Sequence, residues 1–267
     1  MKIGVIGCGK MGTAWVAGAI HSGVVAATDV IGIDPSQEAR DHFTHTTGAR
    51  AEAATAAVAG CEVILLCTKP IEVAAALRDL ALASAGQALL VISIAAGIPL
   101  TTLEAAAAES MRVIRAMPNT PAAVGRGAAG YCLGTRATRE DASTARLLLE
   151  SVGLAVEVPE RLMNAITGLS GSGPAYVYLM IEALAEGGEL VGLSRADALL
   201  LAAQTVRGAA AMVLKSGENP AILRDRVCSP GGTTLAGLAE LERHGFRTAL
   251  IDAVAAASRR AAELGQS

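Results

Sequence analysis

Six consecutive residues near the start of the chain, Gly7-Cys8-Gly9-Lys10-Met11-Gly12, have the spacing G-x-G-x-x-G. That spacing gains chemical meaning where it follows a strand and opens a helix, and Lys2–Ile6 ahead of it reads as a buried strand. The first glycine then permits a tight turn, the second lets backbone approach a pyrophosphate, and the third packs helix on strand. Asp34 stands 22 residues after Gly12 at the end of the second strand, where an acid bonds the ribose hydroxyls of an adenosine. A carboxylate there repels a 2′-phosphate and points to NADH, although Ser36 and Arg40 are groups that would accept a phosphate.

Three more loops leave strand ends, where ligands of open α/β sheets bind. Cys67-Thr68-Lys69-Pro70 follows one strand and Ala95-Ala96-Gly97 another; the small residues of the second let backbone approach a flat ring. Lys69 has two readings, a contact to phosphate or substrate and a solvated lysine. The stiff Met117-Pro118-Asn119-Thr120-Pro121 loop is equally a wall for a nicotinamide and a rigid turn.

In the second half, Gly168-Leu169-Ser170-Gly171-Ser172-Gly173-Pro174-Ala175-Tyr176 should interrupt a helix. Ser229-Pro230-Gly231-Gly232-Thr233-Thr234 puts a proline at a helix start, with two glycines and two hydroxyls, a concave set of donors for an anion such as a carboxylate. Two glycines cost about 1 kcal/mol each inside a helix, which argues for a ligand there.

The elements behind these loops follow from pattern. Continuous apolar runs at Lys2–Ile6, Val30–Ile33, Val63–Cys67, Leu89–Ile94 and Arg112–Arg115 are strands of a parallel sheet buried on both faces, with weaker candidates at Gly130–Leu133 and Ala155–Val158. Past Pro159 the strand signal stops. Helices are expected from Pro174 to about Val191, from Ser194 to about Lys215, at the Ser229 turn and after Gly245. This is an α/β chain: a Rossmann-type doubly wound domain over 1–160, then an all-α domain over 161–267, which the resemblance given below implies is the substrate-binding and dimerisation domain.

Composition removes other classes. A net charge of −3 draws the 267-residue chain to neither nucleic acid nor anionic lipid, and 2% aromatics give no base-stacking platform. Five cysteines without a C-x-x-C pair suggest neither zinc knuckle nor disulfide framework, and fit a reducing cytoplasmic setting. His42 and His45 lack the companions of a metal site. The uncharged run from Leu80 to Leu103 is cut by Gly86, Gly97 and Pro99, so no spanning helix is expected. A signal peptide at the N-terminus would be broken by Gly4, Gly7, Gly9 and Lys10.

Taken in order, the Ile6–Gly12, Lys69-Pro70, Ala95–Gly97, Met117–Pro121, Ser170–Tyr176 and Ser229–Thr234 segments resemble those of the pyrroline-5-carboxylate reductases, and the likeness spans essentially the full chain. The last two segments are specific to that family. The resemblance implies NAD(P)H-dependent reduction of 1-pyrroline-5-carboxylate to L-proline, the last step of proline biosynthesis. By it, Ile6, Gly7, Cys8, Gly9, Lys10, Met11, Gly12, Asp34, Pro35, Ser36, Cys67, Thr68, Lys69, Pro70, Ala95, Ala96 and Gly97 hold NADPH or NADH. Ser229, Gly232, Thr233 and Thr234 hold the substrate, with Thr234 as the catalytic hydroxyl at the ring nitrogen. It also implies a homodimer of interlocked helical domains, often built into a decamer.

Two positions depart from the family: Asp34 replaces the neutral or basic residue of NADPH-preferring members, and Ala54 an asparagine near the adenosine. The β-hydroxyacid dehydrogenases carry a lysine four residues after a similar glycine segment, and that position is Val177 here. A protonated cyclic imine needs no such donor, since reduction only discharges it. Reduction of another cyclic imino acid, or dinucleotide binding without turnover as a redox sensor, are the alternatives.

Overall fold

The computed structural model describes residues 1–265. Eight strands, β1 (Ile3–Ile6), β2 (Val30–Ile33), β3 (Arg50–Glu52), β4 (Val63–Leu66), β5 (Leu89–Ser93), β6 (Met111–Met117), β7 (Gly127–Leu133) and β8 (Gly153–Glu157), form one sheet in the order β3-β2-β1-β4-β5-β6-β7-β8. Every residue of β1, β2, β4 and β5 is buried, as continuous apolar runs between two helical layers require. Helices α1 (Lys10–His21), α2 (Gln37–Thr47), α3 (Val73–Ser84), α4 (Leu100–Ala106) and α5 (Arg139–Glu150) supply those layers. One face of the sheet buries Trp15, Phe43 and Leu148, the other Leu77, Leu80 and Leu103. The Trp15 indole also donates to the Leu148 carbonyl at 2.7 Å, tying α1 to α5.

Two features depart from pattern reading. Strand β3 has the sequence Arg-Ala-Glu at an exposed edge, so no apolar run announces it. Strand β7 runs antiparallel to β6 while β8 runs parallel to β7. Residues 118–126 between β6 and β7 are too few for a crossover helix, and the chain turns straight back.

By contacts the chain divides into one unit of residues 1–172 together with the chain from Ala255 onward, and a second unit of Gly173–Val254. The first unit contains the sheet and, after it, α6 (Met163–Ile166), whose helix runs on through a π-turn at Thr167–Gly171. The expected interruption at Gly168–Tyr176 is therefore a widened turn: the Ser172 amide reaches the Thr167 carbonyl at 2.8 Å, one residue beyond α-helical reach.

The second unit holds α7 (Gly173–Leu190), α8 (Arg195–Ser216), α9 (Pro220–Arg226), α10 (Thr233–Arg243) and the first half of α11 (Phe246–Leu264). Ser194 caps α8 by accepting the Asp197 amide, as its sequence position suggests. Helix α9 is not apparent from pattern, yet Asn219 caps it and Pro220 occupies its first position, a start signal in plain view. Helices α7 and α8 meet through Ala185, Ala198 and Ala202 and leave Leu179, Leu200 and Leu214 exposed. Helix α8 is long and apolar enough to cross a membrane, a property the Leu80–Leu103 reading passes over.

Candidate functional site

Parallel register places the C-terminal ends of β2, β1, β4, β5 and β6 side by side: Ile33 beside Ile6, Ile6 beside Leu66, Leu66 beside Ser93, Ser93 beside Arg115. The strand order reverses between β1 and β4, the switch point at which open α/β sheets bind ligands. Asp34, Gly7–Gly12, Cys67–Pro70, Ala95–Gly97 and Met117–Pro121 all leave this edge.

The three glycines of the first loop separate by cause. Gly7 sits at φ +102, and a Cβ there would lie 2.7 Å from the Cys67 backbone. A Cβ on Gly12 would lie 2.3 Å from the Gly7 carbonyl oxygen. Gly9 has an ordinary extended backbone (φ −71, ψ −174), and a Cβ on it would meet nothing within 4 Å. Folding alone thus explains the outer two glycines and leaves the middle one unexplained. Gly9 caps α1 without a side chain, so the Lys10, Met11 and Gly12 amides lack helical partners. A pyrophosphate fits both facts.

Asp34 is half-buried and already engaged: its carboxylate accepts the Cys8 amide at 3.0 Å and the Ser36 amide at 2.9 Å. The Arg40 guanidinium donates to the Asp34 and Pro35 carbonyls (2.7 and 2.9 Å) and to the Gln37 side chain. Ser36 caps α2 through the Ala39 amide. Burial, with the Asp34 carboxylate nearby, pushes the Cys8 thiol up to about 12, and burial also raises Cys67, so neither is a nucleophile near neutral pH.

The Thr68 hydroxyl is shielded from solvent and has no hydrogen-bond partner among the described residues. Such a group costs free energy unless a ligand completes it. Lys69 and Pro70 are exposed, with the Lys69 amide bonded to the Glu72 carboxylate at 3.3 Å. In the next loop Ala95 is buried, Ala96 is exposed, and Gly97 stands at φ +79 beside Leu264.

Two supports have roles that the sequence does not reveal: Glu160 stands in no motif, and Asn119 only in the Met117–Pro121 segment. Glu160 accepts the Leu100 amide at 2.6 Å and the Arg115 guanidinium at 3.2 Å, pinning the start of α4 just beyond the Ala95–Gly97 loop. Asn119 is buried and bonds both the Ser170 carbonyl and the Ala128 amide at 2.9 Å. Most of these partners lie tens of residues away, beyond any local pattern.

In the helical unit, α10 begins at Thr233 with Gly232 as its cap and no side-chain cap bond. The Thr233, Thr234 and Leu235 amides therefore have no helical partner. Ser229 and Thr233 are exposed, and Thr234 is half-buried. Contrary to the expectation from sequence, glycine cost does not indicate a ligand here. Gly231 and Gly232 precede the helix, Gly231 lies at φ +66, and a Cβ on Gly232 would lie 3.0 Å from the Ser229 carbonyl oxygen. Turn geometry accounts for both glycines, and Pro230 lies in that turn, not at the helix start. The free amides and hydroxyls are what remain to meet an anion.

Residues 160–264 match the family model for pyrroline-5-carboxylate reductase dimerisation, and residues 2–97 that for coenzyme F420-dependent NADP oxidoreductases. The chain is 44% identical to a pyrroline-5-carboxylate reductase of Methanosarcina acetivorans (99% of this chain, 98% of that one) and 44% identical to one of Arabidopsis thaliana (100% and 96%). Its fold is similar to the solved structure of a pyrroline-5-carboxylate reductase from Coxiella burnetii, with TM-score 0.93, 34% identity, and coverage of 100% and 99%. It is also similar to a pyrroline carboxylate reductase of Plasmodium falciparum solved with NADP bound, with TM-score 0.88, 31% identity, and coverage of 99% and 98%.

Proposed function

The chain belongs to the pyrroline-5-carboxylate reductase family, and from that premise we propose how its residues reduce 1-pyrroline-5-carboxylate to L-proline with NAD(P)H. The supporting observation is Gly9 at the start of α1, where a Cβ would meet nothing within 4 Å among the described residues and the helix-end amides have no side-chain cap, which leaves room for a pyrophosphate. In this reading the Lys10–Gly12 amides take the phosphates, the Thr68 hydroxyl gains its absent partner, and the Ala95–Gly97 and Met117–Pro121 loops border the nicotinamide. The bound dinucleotide supplies a hydride at nicotinamide C4.

The Ser229–Thr234 turn takes the substrate carboxylate on its free amides, a helix-end interaction worth about 0.3–1 kcal/mol in addition to its hydrogen bonds. Thr234 contacts the ring nitrogen and orients the iminium. A protonated imine is already electrophilic, so positioning carries much of the rate and Val177 is adequate where related enzymes keep a lysine.

Asp34 selects NADH. Its carboxylate, at the end of β2, would repel a 2′-phosphate on the adenosine ribose, and Arg40, bonded to two carbonyls and Gln37, is not free to compensate. The chain self-associates through its dimerisation domain. We propose that the dimer is interlocked, that it assembles further into a decamer, and that the enzyme is cytoplasmic.

The test is consumption of NADH and of NADPH with pyrroline-5-carboxylate and with the six-membered imine in parallel. Turnover of the five-membered ring with NADH ahead supports the reading. Turnover of the six-membered ring alone, or dinucleotide binding without oxidation, overturns it. In the same assay Thr234→Ala should lower kcat by about 10- to 100-fold through lost positioning, Thr234→Ser should recover most of it, and dinucleotide affinity should not move in either.

A further inference from the structure

Pro174 is the second residue of α7 and has no amide hydrogen. In an uninterrupted α-helix that hydrogen would reach the carbonyl four residues earlier, which is Ser170. The helix here widens into a π-turn at Thr167–Gly171, and the Ser170 carbonyl accepts the Asn119 carboxamide nitrogen at 2.9 Å instead. The other end of that carboxamide accepts the Ala128 amide at 2.9 Å. The two partners, one carbonyl and one N–H, fix which way the amide points. Asn119 sits in the Met117–Pro121 loop at the end of β6, and Ala128 at the start of β7. One side chain therefore joins loop, strand and π-turn. It is 9% exposed, so its bonds are largely shielded from water. Around it Ile166 packs onto Gly130, where a Cβ would lie 2.7 Å from the isoleucine side chain, and Gly171 faces Met117.

We propose that Asn119 is a positioning residue of the reductase: it replaces the donor that Pro174 lacks and holds the π-turn against the loop bordering the nicotinamide. Its contribution to catalysis rests on the function proposed above, whereas the hydrogen bond to Ser170 does not.

Two measurements on the full chain separate these. The first is amide hydrogen exchange of Thr167–Ser172, which needs no substrate. Asn119→Ala should speed it about tenfold, the worth of one buried hydrogen bond. The same change made on a Pro174→Ala background should speed it far less, because an alanine at that position brings its own N–H. Equal acceleration on both backgrounds, or none on either, overturns the bond's role. If Asn119→Ala does not fold, Pro174→Ala must restore folding, and failure to do so also overturns it.

The second measurement is the pH profile of Asn119→Asp. An ionised aspartate cannot donate to Ser170, and a protonated one can. Its kcat relative to the unaltered enzyme should therefore recover as pH falls from about 8 to 5.5, with dinucleotide affinity within about twofold throughout, since protonating a buried carboxyl needs no strong acid. A constant ratio across that range, or a loss carried by dinucleotide affinity, rejects the catalytic role. Should the unaltered enzyme not turn over pyrroline-5-carboxylate at all, the proposed function falls, and the exchange data still decide the bond.

Discussion

At the scale of single residues, glycines separate ligand binding from folding. Gly9→Ala places a methyl group in open space, so the thermal midpoint should stay within a degree or two while dinucleotide affinity falls about 10- to 100-fold, or roughly 1.4–2.8 kcal/mol. Gly12→Ala drives a methyl group onto the Gly7 carbonyl and should destabilise the fold by about 1–3 kcal/mol. Thermal denaturation and fluorescence titration of the two variants would show the contrast; equal stability losses would contradict it. The three positions of the fingerprint and their separate roles are legible in sequence; the atoms that crowd the outer two, the Cys67 backbone for Gly7 and the Gly7 carbonyl for Gly12, are not. The same holds at Gly231 and Gly232, where a spacing that suggests glycines within a helix meets a turn that demands them outside it. Glu160 is invisible in sequence, and Asn119 shows there only as part of the Met117–Pro121 segment, for a related reason: each serves a carbonyl or amide that only the folded chain brings within reach.

Among elements, helix α5 shows how one side chain serves both local and long-range structure. Asp141 accepts the Thr138 amide and hydroxyl in a capping box and forms a forked pair with Arg112 on β6, at 2.8 and 3.0 Å. Burial raises its pKa, but the bonds from Arg112 and Thr138 outweigh that and hold it below the usual carboxylate range. The stabilisation is therefore complete above the unfolded pKa of about 3.9 and is lost as pH falls through the lower folded value. Asp141→Asn should cost about 2 kcal/mol at neutral pH, less than a fully buried pair because Arg112 remains 31% exposed, and should flatten the acid limb of stability. Urea titrations at several pH values would test this, and an unchanged acid limb would refute it. The buried strands are readable to within three residues because their apolar runs are unbroken. Strand β3 is not, being held by its neighbour's register with no hydrophobic face of its own, and the direction of β7 is a consequence of loop length that its composition does not encode.

The whole molecule adds a surface that a single chain cannot satisfy. Leu179, Leu200 and Leu214 are exposed on α7 and α8, within the stretch matched to a dimerisation domain. Burying one leucine is worth about 1.5–3 kcal/mol, and a dimer buries each twice. Leu200→Glu should thus shift the protein toward monomer in sedimentation at micromolar concentration, and an undiminished dimer would remove α8 from the interface. Composition indicates a helical second half, but not which helix faces carry association, since the chain's alanine-rich helices look alike in sequence. The reaction itself is tested most directly by isotope transfer. With NADH carrying deuterium at both nicotinamide C4 positions, the proline formed from pyrroline-5-carboxylate should carry one deuterium, on the ring carbon that was the imine carbon. Unlabelled proline, or NADH binding without formation of proline, would contradict hydride transfer to that imine.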